Sequence, residues 1–306
     1  MNGLTLKHLR YFNALAKHLH FGRASDDCAI SQPALSIQIK ELEAMVGAPL
    51  VERTSRQVRL TTLGEDFVAR SRNILAAVEE LDDLVRTSTQ ALTGRLRLGV
   101  IPTIAPYLLP SVARALASEH PDVILQPREA VTGALVEDLL EYRLDAALVA
   151  LPVSEPRLIE TPLFEEEFVL VRHETEARDP VPSPDSLQKM RLLLLEEGHC
   201  FRDQALAFCA LDGRKLRDVM EGSSLSTLVQ MVGAGIGLTL IPEIAVPFEV
   251  RASSVHISRF RDDVPRRTIG LVMRRTSPMV DQLDAINAIV RDLGAAKVAE
   301  VAREFP

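Results

Sequence analysis

Cys28, Cys200 and Cys209 are the residues of this 306-residue chain best able to do covalent chemistry. Two of them share one segment, Gly198-His199-Cys200-Phe201-Arg202-Asp203-Gln204-Ala205-Leu206-Ala207-Phe208-Cys209. A thiolate, not a thiol, is the nucleophile. Gly198 precedes a helical run, which predicts Cys200 at or just before a helix N-terminus. Free amides there and the cation Arg202 favour the charged sulfur, and His199 can move a proton or donate a hydrogen bond. A thiolate so placed can be oxidised to a sulfenic acid, which condenses with a further thiol. The competing reading is two unrelated cysteines buried in one helix. The spacing of the three matches no zinc pattern, and three thiols are too few for a disulfide scaffold. No metal and no cofactor is expected. Cys28 falls on the apolar side of a short helix and reads as a small core residue.

The chain that must position these residues is 47% hydrophobic and 25% charged, which predicts a globular protein of two or three domains. It has no apolar run of the ~18–20 residues that a membrane helix needs. Its N-terminus lacks the charged, apolar and small-residue order of a signal peptide. The expectation is a soluble cytoplasmic protein with no membrane partner. The net charge of −7 hides an asymmetry. Residues 1–62 carry eight Lys/Arg against five Asp/Glu, which is +3 and leaves −7 − 3 = −10 for the rest. A small basic head on an acidic body can turn the head towards phosphate.

The head reads as short helices and a hairpin. Leu9, Phe12, Ala16 and Leu19 mark one amphipathic helix, and Phe21, Ala24 and Cys28 a second. Ser31 is a good N-cap and Pro33 suits a first helical turn. Leu35, Ile39, Leu42 and Val46 then form the stripe of a third helix, which Gly47 ends. Two helices joined by a turn at about 29–31 make a helix-turn-helix. Ser31, Gln32, Pro33, Ser36, Gln38 and Lys40 lie early in its second helix, where side chains reach base edges in a DNA major groove. Taken singly, each fits an ordinary solvated face equally well. Arg53 and Arg56 flank a turn at Ser55 and would hold phosphate as a wing. From Leu63 to Gln90, Phe67, Ile74, Val78, Leu81 and Val85 recur on one stripe. That helix would run ~40 Å and expose more apolar surface than the head can cover, so a second copy is expected to pack on it.

After Thr93-Gly94 the pattern alternates strand and helix, which implies parallel sheets with right-handed crossovers. Expected strands include Arg95–Ile101, Val123–Arg128, Ala146–Ala150, Phe168–Arg172, Leu192–Leu195, Gly237–Ile241 and Thr268–Met273. Expected helices include Ala105–Ser118, Gly133–Tyr142, a run from Cys200, Ser226–Gly233 and Val280–Val301. Thr103 follows a strand end at Ile101-Pro102, and Thr132 precedes a helix. Both are places where such a body holds small polar ligands, and also places where threonines cap helices.

The sequence resembles the LysR family of bacterial transcriptional regulators. The head carries this from Leu6 to Gly64, through Ala24, Ser31-Gln32-Pro33-Ala34-Leu35-Ser36, Leu42-Glu43 and Leu50, and the likeness extends over the whole chain. The cysteine segment, Ile101-Pro102-Thr103 with Pro106-Tyr107-Leu108-Leu109-Pro110, and Arg267-Thr268-Ile269-Gly270-Leu271-Val272 are similar to the peroxide-sensing branch of that family. Phe201 and Ala207 depart from it mildly, and residues 251–265 look least like it.

The resemblance implies a winged helix-turn-helix over 1–62, a linker and dimerisation helix over 63–90, and a two-lobed α/β body like a periplasmic solute-binding protein over 95–306. Lobe 1 would span about 95–165 plus 268–306 and lobe 2 about 166–267. It makes Cys200 the peroxide-reactive cysteine and Cys209 the resolving one. It places Thr103, Thr132, His199, Arg202 and Asp203 around the pocket. It implies promoter DNA, hydrogen peroxide, RNA polymerase and a thiol reductant as partners, and a homo-oligomer, a dimer of dimers. In a continuous helix the paired Cα atoms would stand ~13 Å apart, whereas a disulfide needs about 4.4–6.8 Å, so oxidation must unwind the segment. One alternative is a LysR-type regulator that binds a small metabolite between its lobes. A thiol peroxidase is disfavoured by the DNA-binding head, and a solute-binding protein by the 90-residue helical start.

Overall fold

The computed structural model describes residues 3–53, 58–86, 92–209, 220–251, 253–261, 263–280 and 282–305. The chain forms two units, Met1–Val85 with Glu141–Arg143, and Arg86–Leu140 with Leu144–Pro306.

In the first unit, α1 (Leu6–His18) starts at Thr5, whose hydroxyl accepts the His8 amide while His8 Nδ1 accepts the Thr5 amide. This reciprocal cap satisfies two free donors at once. α2 (Phe21–Asp27) follows after a left-handed Leu19. α3 (Gln32–Val46) starts at Ser31, whose Oγ accepts the Ala34 amide at 3.3 Å, and stops at Gly47 with φ +80°. Phe12, Leu15, Ala24, Leu35, Ile39 and Leu42 close the core of this unit. β1 (Val51–Arg53) and β2 (Val58–Leu60) pair antiparallel with Glu52 opposite Arg59. Glu43 of α3 accepts the Leu50 and Val51 amides at 2.8 and 3.1 Å, which fixes the hairpin to the helix. Arg56 and the turn at Ser55 lie outside the described residues, as does the side chain of Arg53. α4 (Thr62–Arg86) spans ~38 Å. Its Phe67 meets Phe12 edge to face at 5.6 Å.

Gly64 sits where α4 leaves the hairpin. A Cβ there would stand 2.1 Å from the Leu50 carbonyl oxygen. Gly64→Ala must therefore displace backbone, and overpacking of this kind costs about 1–3 kcal/mol. Urea denaturation of the full chain, followed through the head, should show an earlier transition in that variant. An unchanged transition would mean the close approach carries no constraint.

The second unit continues the chain as β3 (Gly94–Val100), α5 (Ala105–Glu119), β4 (Val123–Glu129), α6 (Thr132–Leu140), β5 (Ala146–Leu151), β6 (Leu158–His173), α7 (Pro184–Leu187), β7 (Leu192–Leu195), α8 (Cys200–Phe208) and β8 (Met220–Gly222). It ends with α9 (Leu225–Gly233), β9 (Leu238–Pro242), α10 (Val246–Glu249), β10 (Val255–Ser258), β11 (Arg266–Arg274) and α11 (Leu283–Glu304). The strands run in the order β4-β3-β5-β11-β6-β9-β7-β8, with β10 also on β6. β5, β7 and β9 are nearly continuous apolar runs, as strands covered on both faces must be.

Alternation alone predicts parallel pairing, and the sheet departs from that. β11 lies antiparallel to β5 and β6, and β6 lies antiparallel to β9 and β10. The strand expected at Phe168–Arg172 is the second half of a sixteen-residue strand. Residues 158–167 of β6 pair with β11, and residues 168–171 pair with β9. A single strand thus joins the β11 side of the sheet to the β9 side. The terminal helix is Leu283–Glu304 rather than Val280–Val301. The linker helix is described to Arg86, and residues 87–91 lie outside the described residues.

Candidate redox site and nucleic-acid interface

β7 delivers the chain to Gly198, which takes φ +94°, a conformation open to glycine at little cost. That turn aims the chain into α8. Cys200 is the first residue of α8, with His199 at the cap making no side-chain cap bond. Cys200 is thus held, partly exposed, at the end of the helix where amides have no partner within the helix. Cys209 closes the other end, fully buried, with its amide donating to Ala205 O at 3.0 Å. Both are free thiols. Nine helical residues keep their Cα atoms ~13 Å apart. Burial pushes the Cys209 thiol up to about 11. Burial also lowers the His199 imidazole, which favours its neutral form, and nearby Glu196 opposes this.

Beside α8 lies a buried polar network. Arg267 and Glu166 face each other across the β11/β6 ladder with both side chains fully enclosed. Arg267 donates to Glu166 Oε1 from Nε at 2.9 Å and from Nη2 at 2.7 Å. It donates from Nη1 to Thr103 Oγ1 at 2.7 Å and from Nη2 to Thr103 O at 3.1 Å. Glu166 Oε2 accepts the Ile244 amide. Full burial raises the Glu166 carboxyl, and the Arg267 charge pulls the other way. Phe201, next to Cys200, places its ring 5.4 Å from the Arg267 guanidinium and 4.7 Å from the Phe168 ring. Thr103 is therefore joined to α8 through Arg267 and Phe201. Thr132 comes in by another route, since a Cβ on Gly198 would lie 3.8 Å from Val131, the neighbour of Thr132.

Neither threonine caps a helix. The Thr103 hydroxyl oxygen accepts a hydrogen bond from Arg267, and α5 has no side-chain cap. The Thr132 hydroxyl is buried and has no hydrogen-bond partner among the described residues. On α8 itself, Gln204 stands one turn after Cys200, and its buried Oε1 has no partner among them either. Two loose polar atoms near the thiol-bearing turn leave hydrogen-bonding capacity for a small polar molecule.

In the first unit, the early residues of α3 form an outward face. Ser31, Gln32, Pro33 and Lys40 are exposed. Gln38 donates to Glu41 at 2.7 Å.

Two family comparisons match the chain. Residues 6–65 match the bacterial regulatory helix-turn-helix protein of the lysR family, and residues 89–294 match the LysR substrate binding domain. A probable hydrogen peroxide-inducible genes activator of Streptomyces viridosporus is 41% identical over 293 residues, covering 94% of each chain. A full-length OxyR of Pseudomonas aeruginosa superposes with a TM-score of 0.75 at 33% identity, covering 95% of this chain and 96% of the other. A hydrogen-peroxide-bound cysteine mutant of Corynebacterium glutamicum OxyR gives 0.68 at 34% identity, covering 98% and 95%.

The chain belongs to the LysR family, in its OxyR branch.

In this OxyR-type regulator the structure joins Thr103 and the Cys200 turn by contact and sets the Thr132 segment against Gly198. Arg202 goes elsewhere. Its Nη1 donates to Leu195 O at 2.9 Å and to Glu221 at 2.6 Å, so the cation expected to serve the thiol is held by β7 and β8. Asp203 is exposed in the first turn of α8, where its charge suits the helix end. Glu166, Glu221 and Gln204 escaped the sequence reading. Gln204 was within reach of it, because an i, i+4 step from Cys200 puts it on the same helix face. No described helix of the regulator is long and apolar enough to cross a membrane.

Proposed function

We propose that this regulator is an activator of transcription switched by hydrogen peroxide, with Cys200 as the reacting sulfur and Cys209 as its resolving partner. The observation that carries this is one nine-residue helix with a partly exposed thiol at its N-terminus and a buried thiol at its C-terminus. The Cys200 thiolate attacks one peroxide oxygen, the O–O bond breaks, and hydroxide leaves with the electron pair. Cys200 becomes a sulfenic acid. Cys209 then displaces the sulfenic oxygen as water, its own proton supplying one hydrogen, and the S–S bond forms. Thr103, Thr132 and neutral His199 orient the peroxide. Arg202 and Asp203 act on the helix that carries the thiol. A thiol reductant resets the switch.

The head places Ser31, Gln32, Pro33, Ser36, Gln38 and Lys40 in a major groove and Arg53 and Arg56 against phosphate. Ile74 and Leu81 of α4, 46% and 60% exposed, offer a face for a second copy, from which a dimer of dimers is built. RNA polymerase is the downstream partner.

Stoichiometric peroxide followed by thiol labelling and intact mass tests the redox reading. Two labels should be lost, both from Cys200–Cys209, with the mass lower by two hydrogens. Thr103→Val should slow this reaction roughly tenfold or more, as loss of one aimed donor does elsewhere, and leave DNA affinity of the reduced protein intact. Three labels retained after peroxide would move the regulator to the metabolite-binding reading. Unchanged kinetics in Thr103→Val would leave that threonine a structural partner of Arg267.

A further inference from the structure

The outward face of α3 has an apolar residue at its centre. At ~100° per residue, Ile37 lies ~140–160° from Leu35, Ile39 and Leu42, the three residues α3 buries completely. Its neighbours Ser36 and Gln38 are ~100° to either side, and Pro33 and Lys40 lie within ~60° of it. Ile37 is 56% exposed, whereas the inner stripe is sealed. Helix stability does not account for it. A β-branched side chain loses rotamer freedom on a helix, and an exposed position favours Ala, Lys or Glu instead. One turn beyond Ile37 on the same face comes the exposed acid Glu41, which repels phosphate. The part of α3 fit to enter a groove is therefore its first two and a half turns, and Ile37 is the apolar side chain at the middle of that stretch.

Thymine is the one base that presents a methyl group in the major groove. We propose that Ile37 reads a thymine by packing on its 5-methyl group, and so sets base preference at one position of each half-site. The polar residues on either side can then serve neighbouring base edges. This rests on the reading of α3 as the DNA-recognition helix.

The test uses the reduced full-length protein and a duplex selected by it from a random pool. Each thymine in turn is replaced by 2′-deoxyuridine, which removes the methyl group and nothing else. The affinities of the native protein and of Ile37→Ala and Ile37→Ser are then compared. At one thymine per half-site, deoxyuridine should weaken native binding about fivefold, the worth of roughly one buried methyl. At that position the two variants should bind thymine and deoxyuridine equally well, having already lost the contact. Neither substitution disturbs the core, since the side chain is exposed, and the urea transition should stay in place. The proposal is overturned if no thymine position separates the native protein from the variants, or if both variants still discriminate between the two duplexes as the native protein does. Failure to select any duplex at all would overturn the recognition-helix reading itself.

Discussion

Cys200→Ser is expected to abolish peroxide-dependent activation in a purified transcription system, while Cys28→Ser responds like the native protein. The asymmetry follows from position. Cys200 is partly exposed at the start of α8, where backbone amides have no partner within the helix and an oxidant can arrive. Burial raises the Cys28 thiol and the adjacent Asp27 charge raises it further, which leaves it a poor nucleophile at neutral pH. Cys209→Ser separates the two steps of the proposed chemistry. It should still form the sulfenic acid, trappable with dimedone, but activate weakly or briefly. Cys209 waits at the far end of the helix with its thiol pushed up to about 11, so the sulfenic acid must persist until α8 opens.

Opening α8 takes Phe201 off Phe168 and Arg267 and Phe208 off Phe260, where the rings now sit 5.0 Å apart. Each such aromatic contact is worth ~1 kcal/mol beyond its buried area. The disulfide closes a short loop and returns less than the ~3 kcal/mol of a fifteen-residue one. The bond should therefore be readily reduced, as a resettable switch requires. Its pH dependence has a definite sign. Because folding raises the Cys209 value, that thiol supports the closed helix fully below the ordinary thiol range and progressively less as pH climbs towards about 11. Disulfide closure from the sulfenic acid should therefore accelerate as pH rises from about 9 towards about 11. Normal induction in Cys200→Ser, or a dead Cys28→Ser, would rule the mechanism out.

The first unit was legible because its signals are local. Ser31 and Gly47 bound α3 within one residue of where capping rules place them, and Leu35, Ile39 and Leu42 give its inner face directly. The placement of Cys200 at the start of a helix was legible for the same reason, since Gly198 and the helical run after it are adjacent in sequence. What sequence could not supply were partners far along the chain. The first half of β6 carries Glu160, Glu165, Glu166 and Glu167, which break the apolar run that marks a buried strand. Glu166 and Glu167 are tolerable because Arg259, Arg266 and Arg267, about a hundred residues on, pair with them. Arg202 fails in the same way. Beside Cys200 in sequence it looks like a cation for the thiolate, yet Glu221, nineteen positions later, takes its charge. The Thr103 hydroxyl likewise finds its donor 164 residues away.

That long-range pair supports the largest stability change expected of a single substitution. Glu166→Gln leaves the fully enclosed Arg267 guanidinium with no counter-charge in contact. Removing one partner of a buried ion pair costs about 3–5 kcal/mol, because the remaining charge has lost water without compensation. The same reasoning applies to Arg267→Met, which strands the carboxylate and also frees Thr103 Oγ1 from its donor. Replacing both at once removes the problem rather than halving it. Glu166→Leu combined with Arg267→Met should recover much of the loss, since a well-filled apolar pair is often as stable as a buried ionic one. Equilibrium urea unfolding of the native protein, Glu166→Leu, Arg267→Met and the double variant gives the coupling directly. Reactivity separates the structural part from the chemical part. The double variant, though stable, should still be slow towards peroxide, because Thr103 no longer has the Arg267 donor that fixes its lone pair and turns its proton outward. Its Cys200 should meanwhile react with iodoacetamide at the native rate, since that reagent needs no hydrogen bond from Thr103. If the single variants lose less than about 1 kcal/mol, the pair does not act as a buried clasp. If the double variant reacts with peroxide at the native rate, the Arg267 donor to Thr103 has no part in orienting the oxidant.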